Sequence, residues 1–289
     1  MNNSDDKTRF NTVARPNWCP GCGNFGIQSA VKKALLELDL EPHQVVMTSG
    51  IGCSSKIPHW LNVYGLHALH GRSLPVAAGI KLANHELVVI AEGGDGDGFS
   101  EGLNHFVQAC RRNIDLTYIV HNNGVFSLTT GQASATGEKG FVSSSTPEGA
   151  IETALNPVAL AIAAGATFVA RGFSGNIDQL NDLVVAAVRH RGFAFIDVMQ
   201  ICVTYNPARG YKWYKERVYD VQEGSHDPAD RNKALISAVE FDEDRLATGI
   251  FYQGDQNPYE ESLPQLGTDP LVNQDIEGID VRSLMAELV

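Results

Sequence analysis

The chain has 289 residues and 43% hydrophobic content, enough to bury a sizeable core in one large domain or two small ones. Its formal net charge of -12 argues against a nucleic-acid-binding protein, because phosphate binding needs clustered Lys and Arg. Residues 1–17 carry no apolar stretch, so no signal peptide is expected, and no apolar run approaches the length of a membrane span. The five cysteines are an odd count, which disfavours a disulfide framework and favours the reducing cytoplasm. Taken together, these features predict a cytoplasmic protein that binds neither nucleic acid nor membrane.

Patterns typical of helices and strands alternate as far as residue 205. Apolar residues recur at helical spacing over residues 24–40, 74–83, 103–110, 156–164 and 177–189. Short β-rich runs lie between them at 45–47, 87–91, 116–120, 167–170 and 194–198. This alternation predicts an α/β fold with a doubly wound, mostly parallel sheet that has helices on both faces.

The alternation decays after Pro207. Only Pro228–Val239 is predicted to be helical there, with Asp227 as its N-cap. Residues 253–280 are rich in Asp, Glu, Gly, Pro and Gln, a composition that favours an extended arm over a second core. The sequence therefore predicts one α/β domain over residues 1–205 and an irregular C-terminal arm over residues 206–289.

A glycine-rich segment with two aspartates, Gly93–Gly98, follows the predicted strand at 87–91. Ligands of a parallel sheet bind beyond the carboxyl ends of the strands, where such loops lie. Glycines let the backbone approach a diphosphate closely, and Asp95 supplies the hard oxygen that magnesium requires. Asp97 either contacts the same ligand or caps the helix that follows.

A second polar segment, His121–Val125, follows the next predicted strand. Asp95 and Asn123 are therefore expected to meet around one magnesium ion, with the carbonyl of Val125 as a third protein ligand. The spacing from Gly94-Asp95-Gly96 to the Asn pair resembles the thiamine diphosphate motif. A plain surface turn followed by a polar loop is the alternative interpretation.

Four of the five cysteines lie in loops of the predicted fold. Cys19 and Cys22 form a CxxC pair that lacks the preceding strand of a thioredoxin-type redox site and the second close ligand pair of a zinc site. Cys53 and Cys202 each follow a predicted strand, so they are expected at the sheet edge where the N-terminal pair could join them. Four thiolates suit a [4Fe-4S] cluster. Cys110 lies within a helical pattern and is expected to be a buried hydrophobe.

Five motifs then occur in an order that is similar to one known family: Trp18–Gly23, Gly50–Cys53, His70–Arg72, Gly94–Asp97 and Cys202–Asn206. The chain resembles the β subunit of 2-oxoacid:ferredoxin oxidoreductases over residues 15 to about 210, the 2-oxoglutarate and broad-specificity members above all. The resemblance implies a sheet of the thiamine diphosphate-binding type, a [4Fe-4S] cluster on the four loop cysteines, and magnesium on Asp95, Asn123 and Val125.

The resemblance also implies roles for residues that the pattern alone does not single out. The cofactor would be lined by Ile51, Gly52, Cys53, Ser54, His70, Gly96, Asp97, Ser127 and Leu128. Lys56 would hold the substrate carboxylate, although such a lysine is most often only solvated. His70 and Arg72 could equally be structural residues bonded to backbone. Thr130 and Glu101 depart from the residues that the family usually carries at their positions.

The reaction that the resemblance implies is oxidative decarboxylation of a 2-oxoacid, with 2-oxoglutarate favoured over pyruvate. Thiamine diphosphate accepts the electrons as carbon dioxide leaves, the cluster passes them singly to ferredoxin, and coenzyme A takes the acyl group. The glutamate that activates the cofactor is expected on a partner α subunit. In such enzymes it belongs to a second α/β domain, and the predicted α/β domain leaves no room for another in this chain. Two alternatives remain: a thiamine-dependent non-oxidative decarboxylase or synthase subunit, and a non-catalytic metal-binding subunit.

Overall fold

The computed structural model describes residues 8–240, 244–267, 269–275, 277 and 281–288, with only the backbone at residue 284. The strands are β1 (Val45–Ser49), β2 (Tyr64–His67), β3 (Val88–Gly94), β4 (Leu116–Asn122), β5 (Val125–Phe126), β6 (Gln132–Ala133), β7 (Phe168–Phe173), β8 (Phe193–Met199), β9 (Val218–Asp220) and β10 (Leu246–Gln253). The α-helices are α1 (Asn24–Glu37), α2 (Ser73–Ala83), α3 (Leu103–Arg112), α4 (Pro157–Ala164), α5 (Ile177–Arg189), α6 (Tyr211–Lys215), α7 (Arg231–Val239) and α8 (Val281–Ala286). Short 3-10 helices cover Pro42–Gln44, Ser54–Trp60, Pro207–Arg209, Val221–Glu223, Tyr259–Ser262 and Leu271–Asn273, and a π-helix covers Gly96–Glu101.

Eight strands form one sheet in the order β2-β1-β3-β4-β8-β7-β10-β9. The six strands from β2 to β7 run parallel, and β10 pairs with β7 in the antiparallel direction. The small ribbon β5-β6 stands apart from the main sheet. The predicted doubly wound, mostly parallel sheet is confirmed.

Two hydrophobic layers cover the two faces of the sheet. On one face, α1 and α5 bury apolar side chains such as Ile27, Leu35 and Val184 against the strands. On the other face, α2, α3, α4 and α7 cover an aromatic layer that includes Phe106 and Phe195. Burial on both faces explains why the central strands are nearly continuous apolar runs.

Local capping sets several helix boundaries. The side chain of Asn156 accepts a hydrogen bond from the backbone N of Ala159 at the start of α4, and Asn176 does the same for Gln179 at the start of α5. Helix α1 ends at Glu37, before the end expected near residue 40, and Asp39 then adopts a left-handed φ of 53°.

The prediction of an irregular arm after residue 205 is wrong for one stretch. Strand β10 extends the main sheet beside β7, and its first four residues are buried. The helix expected from Pro228 begins instead at Arg231, because the N-cap is Asp230, whose carboxylate accepts from the backbone N of Asn232 and Lys233. The carboxylate of Asp227, the expected cap, accepts from Ala229 in the preceding turn. The boundary at residue 205 stays a prediction.

Candidate cofactor and iron-sulfur site

The carboxyl ends of β1, β3 and β4 lie side by side, and the loops that follow them enclose one cleft. Its lining residues are Ile51, Gly52, Cys53, Ser54, His70, Gly94, Asp95, Gly96, Asp97, Asn123, Val125, Phe126, Ser127, Leu128 and Thr129. All nine residues expected to line the cofactor are among them, together with the three expected magnesium ligands. The structure therefore brings together residues from four separate segments of the chain.

Asp95 is buried at the end of β3, with 1% of its surface exposed. Its Oδ1 accepts from the backbone N of Asn123 at 3.3 Å, and its Oδ2 accepts from Thr136 Oγ1 at 2.8 Å and from Ser134 Oγ. Burial raises the pKa of this carboxyl, while these hydrogen bonds act in the opposite direction. The three hydrogen bonds hold Asp95 in a fixed orientation at the cleft wall.

Asn123 faces the same cleft from the loop after β4. Its Oδ1 accepts from the backbone N of Val125 at 3.1 Å, and its carbonyl oxygen accepts from Asn206 Nδ2 at 3.0 Å. A carboxylate, an amide oxygen and a backbone carbonyl are hard oxygen donors, the kind that magnesium selects. The donor set of Asp95, Asn123 and Val125 therefore fits a magnesium ion.

Asp97 joins three of the loops around the cleft. Its Oδ1 accepts from the backbone N of Ile51 and of Gly71, each at 2.8 Å, and lies 2.8 Å from Nδ1 of His70. Burial raises the pKa of the Asp97 carboxyl. Its side chain does not cap the π-helix at Gly96–Glu101. Of the two roles that the sequence suggested for Asp97, a ligand contact or a helix cap, the helix cap is therefore wrong.

The cysteines of the loops gather beside the cleft. Burial first, and then the nearby Cys202, Cys53 and Cys19, raise the pKa of the Cys22 thiol to about 11. Cys53 belongs to both regions, since it also lines the cleft. Cys110 is completely buried in the aromatic core layer, as expected, and burial raises the pKa of its thiol.

Two polar hydrogens point at sulfur atoms of this group. Gln200 Nε2 lies 3.2 Å from Cys22 Sγ, and Thr204 Oγ1 lies 3.3 Å from Cys19 Sγ. Within the described residues, no three His, Cys, Asp or Glu side chains converge to hold a single metal ion. A [4Fe-4S] cube binds each thiolate at a different iron, so its four sulfurs stand apart from one another. Four neighbouring thiols, two of which have a donor directed at their sulfur, fit such a cluster.

A buried polar triad connects the two regions beneath the surface. His121 Nε2 lies 2.6 Å from Glu92 Oε2, and its Nδ1 lies 2.8 Å from Asn24 Oδ1. All three side chains are at most 1% exposed, and burial raises the pKa of Glu92. Asn24 begins α1 two residues after Cys22, so the triad ties that helix to β3 and β4.

Lys56, which is predicted to hold the substrate carboxylate, does not line the cleft. Its Nζ donates instead to Asn17 Oδ1 at 3.2 Å. Arg72 is a structural residue, because its Nη1 donates to the backbone carbonyls of His70, Gly71 and Glu101. Thr130 has a φ of 80°, a left-handed backbone conformation that glycine adopts more readily than threonine.

Sequence reasoning missed four residues that hold the predicted ligands: Ser134, Thr136, Gln200 and Asn206. All four lie in loops without periodicity. Only Asn206 lies in one of the five motifs, and its contact with the carbonyl of Asn123 spans 83 residues of sequence. No local pattern could have revealed these contacts.

Comparison with known sequences first defines the class. The family model "Thiamine pyrophosphate enzyme, C-terminal TPP binding domain" matches residues 43–198, which contain the cleft and the strands from β1 to all but the last residue of β8. A second family model, which describes the C-terminal part of the pyruvate ferredoxin oxidoreductase beta subunit, matches residues 202–268. The chain therefore has the thiamine diphosphate-binding type of fold.

Individual relatives narrow the class to one family. The 2-oxoacid:ferredoxin oxidoreductase subunit beta of Saccharolobus solfataricus is 48% identical over 269 residues, covering 89% of this chain and 88% of that protein. The 2-oxoglutarate synthase subunit KorB of Methanocaldococcus jannaschii is 37% identical, covering 86% and 92%. The solved 2-oxoglutarate:ferredoxin oxidoreductase of Magnetococcus marinus matches with a TM-score of 0.90 and 32% identity, covering 98% of this chain and 96% of that one. This chain belongs to the family of 2-oxoacid:ferredoxin oxidoreductase β subunits. No helix in the described part of the chain is long and apolar enough to cross a membrane.

Proposed function

We propose that this chain, with an α subunit, catalyses the coenzyme A-dependent oxidative decarboxylation of 2-oxoglutarate and passes the electrons through a [4Fe-4S] cluster to ferredoxin. The observation that carries the proposal is the position of Cys53, which lines the cleft beside Asp95 and also belongs to the cysteine group. A cluster ligated by Cys53 would therefore lie next to the cleft in which the electrons are released.

Each region has a defined task. Thiamine diphosphate, when bound, supplies the electron sink for decarboxylation. Asp95, Asn123 and the carbonyl of Val125 would hold its magnesium, and the backbone of the glycine-rich turn would approach the diphosphate. Asp97 keeps the loops after β1 and β2 closed around that site through its bonds to Ile51 and Gly71.

The four cysteines Cys19, Cys22, Cys53 and Cys202 would ligate the cluster. All of the chain's cysteines are free in the structure, as ligation requires. Free thiols are also the rule in the reducing cytoplasm, where we place the complex.

An α subunit is needed because the cleft is chemically incomplete. Among the described residues that line it, the carboxylates are Asp95 and Asp97, and both are held by hydrogen bonds to other groups. Cofactor activation needs a further carboxylate, which we propose is a glutamate of the α subunit. Ile51, Ser54, His70, Ser127 and Leu128 would contact the cofactor from this side.

The substrate proposal draws on the relatives. The Magnetococcus marinus enzyme was solved with 2-oxoglutarate, coenzyme A and succinyl-CoA bound. Lys56 is proposed to bind the substrate carboxylate, which requires its Nζ to leave the exposed hydrogen bond with Asn17. Replacement by methionine, which keeps the apolar stem, should then raise the KM for 2-oxoglutarate and leave the iron content unchanged.

The test is anaerobic purification of the complex with its α subunit, followed by assays of iron, sulfide and thiamine diphosphate. About four irons per β chain, one cofactor, and ferredoxin reduction that depends on 2-oxoglutarate and coenzyme A are expected. Asp95→Asn should lose the cofactor and keep the iron, whereas Cys202→Ser should lose the iron. Zinc in place of iron, or turnover without electron transfer, would refute the proposal.

A further inference from the structure

Gln200 lies between the two halves of the proposed site. It follows β8, is 2% exposed, and makes hydrogen bonds in both directions through one side-chain amide. Its Oε1 accepts from Asn123 Nδ2 at 2.6 Å, on the magnesium side. Its Nε2 donates to Cys22 Sγ at 3.2 Å and to the carbonyl of Ile201 at 2.7 Å, on the cysteine side.

The neighbouring backbone fixes the orientation of this amide. The backbone N of Val125 can only donate, so Asn123 must turn its Oδ1 toward Val125 and its Nδ2 toward Gln200. The carbonyl of Ile201 can only accept, so Gln200 must turn its Nε2 toward Ile201 and Cys22. Both ends of the Gln200 amide are thereby used, and a flipped amide would face oxygen with oxygen.

We propose that Gln200 is a positioning residue that sets the reduction potential of the cluster and couples it to the magnesium site. The inference rests on the proposed function. An N–H directed at a thiolate sulfur stabilises the more negative, reduced state of the cluster more than the oxidised state. The Gln200–Cys22 bond therefore raises the potential of the cluster.

The coupling follows from the direction of the chain of hydrogen bonds. A magnesium ion on Asn123 Oδ1 would draw electrons from that amide and strengthen the donation from its Nδ2 to Gln200. Gln200 would in turn become a stronger donor to Cys22, because hydrogen bonds in a chain polarise one another. Occupancy of the cofactor site thus makes the cluster a better electron acceptor.

The experiment is a redox titration of the αβ complex followed by electron paramagnetic resonance, together with the dissociation constant of thiamine diphosphate and magnesium. Gln200→Met keeps the length and apolar stem but removes both the donor and the acceptor. Its cluster potential is expected to fall by on the order of 59 mV, a tenfold change in the ratio of reduced to oxidised cluster. Its affinity for the cofactor is expected to fall as well.

Two further variants separate the effects. Thr204→Val removes the hydroxyl that donates to Cys19 but leaves the Gln200–Asn123 bond in place, so it should lower the potential and leave cofactor affinity unchanged. Gln108→Met makes the same replacement on α3, away from both sites, and should change neither quantity. A wild-type potential in Gln200→Met would overturn the inference and leave the proposed function intact. A wild-type complex without iron would instead overturn the proposed function and this inference with it.

A measurement on the wild-type complex covers the case in which Gln200→Met does not assemble. Glutamine labelled with 15N in its side-chain amide should show a hyperfine coupling between the reduced cluster and a 15N nucleus, since Gln200 Nε2 contacts Cys22 Sγ. Absence of that coupling in an iron-loaded complex would contradict the proposed bond.

Discussion

Replacing Asp97 tests whether one buried carboxylate holds the cofactor loops together. Its Oδ1 accepts from the backbone N of Ile51 and of Gly71 at 2.8 Å, and these two residues follow different strands. Asp97→Ala would leave the buried N–H of Gly71 and the partly buried N–H of Ile51 without this acceptor. Each such group costs about 1–3 kcal/mol, so the loops should lose about 2–6 kcal/mol of stability against local opening.

That free energy has a direct readout in amide hydrogen exchange followed by mass spectrometry. Since about 1.4 kcal/mol is a factor of ten, peptides that contain Ile51 and Gly71 should exchange about 30-fold to about 20,000-fold faster in Asp97→Ala. Asp97→Asn is the matched control, because its amide oxygen can still accept both bonds. A neutral amide also avoids the cost of burying a charge, which is the same cost that raises the pKa of Asp97. Amide exchange in Asp97→Asn should therefore rise by less than about 30-fold.

Exchange in these peptides at the wild-type rate in Asp97→Ala would refute the reasoning. Equal acceleration by alanine and asparagine would also refute it, since the negative charge rather than the acceptor geometry would then hold the loops. Peptides from α5, which packs on the sheet as part of the hydrophobic layer with α1, should be unaffected in both variants and report on global stability.

Three further predictions concern stability and iron content. Gly71→Ala should lower the thermal midpoint, because Gly71 has a φ of 69° and a Cβ would lie 2.6 Å from the backbone of Glu101. Gly79→Ala, in open space on α2, should instead increase the free energy of unfolding by about 0.4–1 kcal/mol and raise the midpoint. Equal changes of the midpoint in the two variants would contradict this. Burial raises the pKa of Glu260, so the folded state binds the proton of this carboxyl more tightly than the unfolded chain does. The stability of the wild type relative to Glu260→Gln should therefore fall as the pH rises above 4.5, the pKa of the group in the unfolded chain. Thermal melts of both proteins at pH 4.5 and at higher pH check the sign. Cys110→Ala should keep all of the iron that Cys202→Ser loses, because Cys110 lies in the core; iron analysis after anaerobic purification decides.

The elements with a strong local period were predictable. The helix of residues 177–189 and the strand around residues 116–120 carry their burial pattern in the sequence, because one or both faces meet the core. Strand β10 was missed because it follows a stretch without alternation, and its place is fixed only by pairing with β7. Strand β2 was missed for a related reason, since its four residues are exposed at the sheet edge.

The sequence by itself determined the class of fold, the strand-end loops that bear Asp95 and Asn123, and the cysteines available for a cluster. These follow from local spacing, and parallel strands bring their carboxyl ends to one edge whatever the details. Only the tertiary structure decided which side chains hold those residues in place. Gln200 contacts Cys22 across 178 residues of sequence, and Thr136 contacts Asp95 across 41. Such contacts depend on how the loops pack together in space, which no period or motif within a single segment encodes.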